Sequence, residues 1–357
     1  MQIKVLDPVG QTIIFALFFL TVLILSIKKS TKAFFPLTAT KELKGFAMLA
    51  IIFSHIGYFL SAQTQFLYPF SILAGVGVNL FLFLSGFGLT ISALKNPLSI
   101  INFYKKRLLK LFIPLWMVII LLILTDLFFL GIKYPIQTMV QSFLGFFPSA
   151  RIYESLDSPL WYFTMIFFYY LIFPLTFFKK YKYLSVLLIF AVSFFILQLK
   201  LPLDEGVLNL FKLHFIAFPL GVLFAVSTYK IVNINYKQLL PLLPLLIVLF
   251  IYSSFNSGVG QGKFIEQTIS LLTMFSLILL FMIKNFQFRL FSLFGIFSYE
   301  IYLIHWPILY RYGLLYKLFP PSFATIFYLI IFLGLGFIIQ KIILYAIKPF
   351  KRSFNHI

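Results

Sequence analysis

Two titratable side chains stand where a membrane span should be purely apolar. His55 lies inside the run LKGFAMLAIIFSHIGYFL, and Lys44 precedes it by eleven residues. Eleven residues are close to three turns at ~3.6 residues per turn, so the two side chains share one helix face about 16 Å apart. An ionisable group held in hydrocarbon is costly, and in membrane proteins it marks chemistry or transport. A neutral imidazole facing a hydroxyl can act as a general base. The same ring could instead bond a neighbouring helix for packing. Lys44 taken singly reads as an end-of-span anchor whose stem lets the ammonium reach water.

Further candidates lie along the chain. In FSYEIYLIHWPI, Ser298, Tyr302 and His305 share a face at i, i+4 and i+7, whereas Glu300 projects away from His305. A buried carboxylate needs a partner, and Glu300 could find one in Lys44 or His55 on another helix. His55 and His305 lack a visible set of further ligands, so no metal is expected. In GVGVNLFLFLSGFGLT, Asn79 and Ser85 fall within the membrane, Ser85 as a lining residue, and Gly75, Gly77, Gly86 and Gly88 permit close helix approach. The connection KNPLSIINFYKKRLLK places Lys105, Lys106, Arg107 and Lys110 beside Tyr104, a setting that suits a phosphate-bearing ligand arriving from the cytosol. On the opposite face, Arg151, Tyr153, Glu154 and Asp157 and the polar run YSSFNSGVGQGKF suit a hydroxyl-rich acceptor such as a sugar, or are ordinary solvated loops. His214, Asp126 and the tail residue His356 read as interfacial or solvated.

The elements that must position these groups follow from composition. Of the 357 residues, 62% are hydrophobic, 50 are Phe and only 11% are charged; mean hydropathy is +1.03. No soluble core absorbs so much apolar surface. Stretches long enough to cross ~30 Å of hydrocarbon recur throughout. The fold class expected is therefore all-α, a polytopic transmembrane helical bundle of about 10–11 spans. The spans fall near 10–27, 43–60, 70–94, 111–131, 160–178, 183–199, 211–228, 238–253, 264–283, 293–311 and 324–346. No soluble domain interrupts them, so a single domain over 1–357 is expected, with the span 10–27 as an extra N-terminal anchor rather than a cleaved signal.

Charge supports this layout. Alternate connections hold the cations: Lys28, Lys29, Lys32, Lys41 and Lys44; Lys95 and the Lys105–Lys110 group; Lys179, Lys180 and Lys182; Lys230 and Lys237; Lys284 and Arg289; Lys348, Lys351 and Arg352. The positive-inside rule then places the N-terminus outside and the C-terminus in the cytoplasm, in a plasma (inner) membrane. A net charge of +20 spread over many short connections suits anionic lipid headgroups rather than nucleic acid. The absence of Cys excludes disulfides, thiolate nucleophiles and thiolate metal sites.

Read in order, five segments resemble the membrane-bound acyltransferase family 3. KGFAMLAIIFSH resembles its Arg-x10-His motif with Lys44 in the arginine place. GVGVNLFLFLSGFGLT resembles its Gly-Val-Asp-x-Phe-Phe-x-x-Ser-Gly-Phe segment, and YKKRLLKLFIPLW its basic run before a proline. SPLWYFTMIFFYYLIFP and SYEIYLIHWPI resemble its later Trp-containing and Ser-Tyr-x-x-Tyr-Leu-x-His segments. The resemblance covers about 41–308. It implies an O-acyltransferase moving an acyl group, commonly acetyl from acetyl-CoA as donor substrate, onto a hydroxyl of a cell-surface or exported polysaccharide, with no bound cofactor.

Carried across, His55 takes the catalytic place, Lys44 the paired basic place and Arg107 a donor-side place, with Lys105, Lys106 and Lys110 beside it. Asn79, Ser85, Trp161, Glu300, Tyr302 and His305 line the cavity. Three departures stand out. Lys44 lacks the planar fork of arginine, Asn79 replaces an acid, and Ile166 or Phe167 occupies the place of a glutamate after the Trp161-type tryptophan. Membrane lipids, an acyl-CoA, a carbohydrate acceptor and polysaccharide biosynthesis proteins are the partners expected. Two other readings stay open on the residues alone: a polysaccharide or lipid-linked-sugar transporter on the same fold, and a degenerate scaffold in a synthase complex.

Overall fold

A computed structural model describes residues 3–29, 35–150, 159–230, 239–258, 263–311 and 313–354, with side chains through 345. Lys32, Arg151, Tyr153, Glu154, Asp157, Lys237 and His356 lie outside the described residues, as do the side chains of Lys348, Lys351 and Arg352.

The chain is a helical bundle. Its helices are α1 (Pro8–Leu25), α2 (Leu37–Ser54), α3 (Ala74–Lys95), α4 (Ile100–Leu130), α5 (Ile136–Phe143), α6 (Trp161–Thr176), α7 (Lys182–Ile196) and α8 (Glu205–His214). They continue through α9 (Ala217–Thr228), α10 (Leu243–Phe255), α11 (Phe264–Ile283), α12 (Arg289–Ile296), α13 (Ser298–Arg311), α14 (Leu315–Leu318) and α15 (Pro321–Phe354). Among the described residues, seven helices are long and apolar enough to cross a membrane, and three shorter apolar helices cover 161–176, 182–196 and 240–255. With the pair α12 and α13, every one of the eleven expected segments carries helix.

α2 is the axis of the bundle. It packs on α3, α11, α12 and α13, and 78% of its most apolar stretch is buried, against 6% for α1 at the lipid-facing rim. Small residues allow the closest approaches. A Cβ on Gly45 would run into the Phe291 carbonyl and one on Gly295 into the Lys41 carbonyl, so α2 and α12 touch backbone to backbone. The pair Gly86 and Gly221 does the same for α3 and α9, against the carbonyls of Phe218 and Phe83, whereas Gly88 faces open space.

Three boundaries differ from the sequence expectation. The stretch carrying Lys105–Lys110 is helix rather than loop, because α4 starts at Ile100. Lys and Arg are good helix formers and the nearest breaker upstream is Pro97, so nothing ends the helix where the hydrocarbon ends. The seventh span is broken into α8 and α9. Pro219 has no amide to give the Phe215 carbonyl four residues back, and the Tyr169 hydroxyl donates to that carbonyl instead at 2.6 Å. The tenth span divides at Phe297, where the Ser298 hydroxyl donates to the Gly295 carbonyl at 3.1 Å and competes with the backbone ladder.

One element had no sequence signal. β1 (Ile27–Lys29) pairs antiparallel with β2 (Phe286–Phe288), Lys28 opposite Gln287. Buried Glu42 fastens α2 to this ribbon by accepting from the Lys284 ammonium and from the Phe288 amide, each at 2.6 Å. At the opposite face the N-terminal segment clasps the loop after α2: the Ile3 amide donates to the Leu60 carbonyl at 2.8 Å and the Val5 amide to Gln63 Oε1 at 2.8 Å. The N-terminal segment therefore braces the central helix at both ends.

Candidate functional site

His55 stands where α2 stops being an α-helix. Residues His55–Leu60 form a π-helix, a widened turn that recurs at functional sites because it re-aims side chains. The ring is 5% exposed and meets His305 on α13, which is fully buried. His55 Nδ1 lies 2.7 Å from His305 Nε2, and the rings meet edge to edge with centroids 4.9 Å apart and planes 8° off parallel. Trp306 and Phe59 set their ring planes across the His55 imidazole at 5.1 and 5.7 Å. On the far side of its own ring, His305 Nδ1 lies 2.9 Å from the Tyr302 carbonyl and 3.1 Å from that of Ile301. Among the described residues, no group of three or more metal-ligating side chains includes this pair.

Lys44 sits three turns toward the other end of α2. α2 begins at Leu37, so Lys44 lies inside the helix rather than opening it, and it is partly buried rather than free at the interface. It is within electrostatic reach of Lys110 and Arg107 on α4. Arg107 is half-buried over the face of Phe103, while Lys105 and Lys106 are exposed. The basic cluster expected from sequence thus divides: Arg107 is partly buried and Lys110 exposed, both within electrostatic reach of Lys44, while Lys105 and Lys106 are exposed. Glu300 pairs with neither Lys44 nor His55. It lies near Gln340 on α15 and in the field of Lys110.

Between these two ends runs a file of hydroxyls. Ser85 on α3 lies beside Tyr162 and Tyr170 on α6. The Tyr162 ring meets the Tyr302 ring edge-on at 5.6 Å, and Tyr302 donates to the Pro159 carbonyl at 3.2 Å. Tyr299 donates to the Leu111 carbonyl at 2.5 Å, beside the rung that Pro114 removes from α4. Ser85, Tyr162, Tyr170, Tyr299 and Lys44 are all partly buried. Lys44 and the histidine pair thus stand at opposite ends of a file of polar side chains.

Asn79 and Trp161 lie elsewhere. Asn79 Oδ1 is 2.8 Å from His214 Nδ1, its amide donates to Ser270 Oγ at 2.9 Å, and Trp161 stacks on the His214 ring at 5.9 Å. His214, expected near the interface, is buried. Asp126, also expected to be solvated, is fully buried in an ion pair with Arg311 and accepts from the Tyr134 hydroxyl at 2.6 Å. In both cases a partner from a distant segment compensates the polar group, and nothing local signals it. Tyr170, Gln340 and Ser270 were not singled out from sequence. The file of hydroxyls Tyr162, Tyr170 and Tyr299 on apolar helices is the signal that was there to be used.

A family model described as an acyltransferase domain matches residues 43–341. No curated protein and no solved structure matches the chain. The matched region holds most of α2 through most of α15, including the histidine pair, the hydroxyl file and the cations at its other end. By that match, and by a bundle of apolar membrane-length helices, the chain belongs to membrane-bound acyltransferase family 3 and is an integral-membrane acyltransferase.

Proposed function

We propose that this acyltransferase moves acetyl from acetyl-CoA onto a hydroxyl of a cell-surface or exported polysaccharide, with His55 as general base. The observation that carries the reading is a file of polar side chains that runs from Lys44, Arg107 and Lys110 at one end to the His55–His305 pair at the other. Cations on the positive-inside face suit the phosphates of a nucleotide donor. Phenols and Ser85 along that file suit the amides of the donor's arm and a short acyl group better than a long aliphatic chain. The open nitrogen of the His55 ring takes the proton of the acceptor hydroxyl as its oxygen bonds to the thioester carbon. The resulting tetrahedral intermediate collapses with cleavage of the C–S bond, and the proton passes from His55 to the departing thiolate.

Purified protein in liposomes, given labelled acetyl-CoA and candidate glycans, tests this. Label should reach the glycan with wild type and not with His55→Ala. Equal transfer by both removes His55 as the base. Transmembrane flux of the glycan with no change in its mass would favour the transporter reading instead.

A further inference from the structure

The hydrogen-bonding chain at the two histidines fixes where each proton sits. A backbone carbonyl only accepts. His305 Nδ1 lies within 3.1 Å of two of them, so Nδ1 carries hydrogen. A neutral imidazole has one N–H, which leaves a lone pair on His305 Nε2. His55 Nδ1 is 2.7 Å from that lone pair and must donate to it. The remaining nitrogen of His55, Nε2, is then the bare one. The reverse order would need an imidazolium at His305, which is fully buried, and among the described residues no carboxylate is hydrogen-bonded to either ring. A buried cation without such a partner is strongly disfavoured.

We propose that His305 is a positioning residue: it holds His55 in the tautomer protonated at Nδ1 and turns the Nε2 lone pair toward the acceptor hydroxyl. The inference rests on the acyl-transfer reading for its catalytic consequence, while the tautomer itself stands on the geometry alone. When His55 Nε2 takes the hydroxyl proton, the Nδ1–H bond to His305 persists, and the charge on the imidazolium is spread through His305 toward the carbonyls of Ile301 and Tyr302. Two features give the arrangement rigidity. His305 is braced by its own helix at i−3 and i−4, and the near-parallel, edge-to-edge setting of the rings keeps the N–H···N bond close to the plane of both, where rotation of either would weaken it. An acid in this place would do the same job with a full negative charge. An imidazole does it as a neutral acceptor, which suits an environment where an unpaired carboxylate would be costly.

The test joins a spectrum to kinetics. Solid-state nitrogen NMR of histidine-labelled protein in lipid, with the His55 signals assigned by their loss in His55→Gln, should show Nδ1 protonated and Nε2 bare. Replacement His305→Phe removes the acceptor and should shift His55 toward the Nε2-protonated form. It should also lower kcat by about 10²–10³-fold, with the KM for acetyl-CoA changed less than about threefold. His305→Gln places an amide oxygen near the lost Nε2 and should bring kcat back to within about tenfold of wild type. An Nε2-protonated His55 in the wild type overturns the proposal even if His305→Phe fails to fold. So does a His305→Phe protein with wild-type kcat, or a His305→Gln protein no better than His305→Phe. A wild type with no acyl transfer to any glycan would count against the function proposed above, and the spectrum would still judge the histidine pairing.

Discussion

Two buried histidines, each bonded to a residue far away in sequence, do opposite things with their surroundings. His214 gives its Nδ1 to Asn79, Asn79 passes its amide to Ser270, and Trp161 covers the ring face. That network joins α3, α6, α8 and α11 and closes on itself. His55 is bonded as tightly to His305, yet beyond His305 the contacts continue through Tyr302 and Tyr162 toward Tyr170, Arg107 and Lys44. Burial and hydrogen bonding alone therefore do not separate a structural histidine from a reactive one. What separates the two is their company: an amide, a hydroxyl and an indole around His214, and a file of phenols leading to cations beside His55.

The contrast predicts different failures. His55→Ala should reduce turnover per folded molecule by about 10³-fold or more, because it removes a general base; a residual rate near wild type in the liposome assay would erase the distinction. Neutralising the partly buried cations should act on the donor. Lys44→Met or Arg107→Gln is expected to raise the KM for acetyl-CoA about 10–100-fold with a smaller change in kcat, whereas Lys44→Arg, which keeps the charge, should stay within about threefold. Steady-state titration of the donor checks both.

The closed network should behave the other way. Asn79→Leu strands the His214 N–H and Ser270 in an apolar interior, at a cost of roughly 1–3 kcal/mol. It should lower the midpoint of thermal unfolding in detergent while leaving turnover per folded molecule within about twofold. A large kcat loss at normal stability would move that network into the catalytic machinery. The ribbon lock offers a second structural control. Lys284→Met leaves Glu42, 2% exposed, without its ammonium, so a loss on the order of 3 kcal/mol is expected. The double replacement with Glu42→Leu should recover much of that stability, read by the same melting curves.

How much of this was legible in the chain depends on the range of each interaction. Apolar runs of membrane length are local, so all eleven helical segments could be placed, most of them within several residues, although α4 starts eleven residues ahead of its expected span. The shared face of Lys44 and His55 is also local, since helix periodicity sets it. The meeting of Ser298, Tyr302 and His305 on one face of α13 follows from the same rule. Boundaries were misplaced where a long-range partner intervened, as when Tyr169 satisfied the carbonyl that Pro219 orphaned and let α8 break from α9. Asp126 and His214 were misread because Arg311 and Asn79, 185 and 135 residues away, are what make their burial tolerable.

The sequence by itself determined that the chain is a membrane bundle, which way its cations are segregated, and which histidine interrupts an apolar helix. Those properties follow from hydrophobic length, charge and helical period, which neighbours in sequence carry. Only the tertiary structure decided that His305 rather than Glu300 faces His55, that Arg107 is half-buried near Lys44 while Lys105 and Lys106 stay exposed, and that Asn79 belongs to a closed network. Each of those is a choice among partners on different helices, and helix packing makes it, because a buried polar group must take whichever donor or acceptor the neighbouring helix presents.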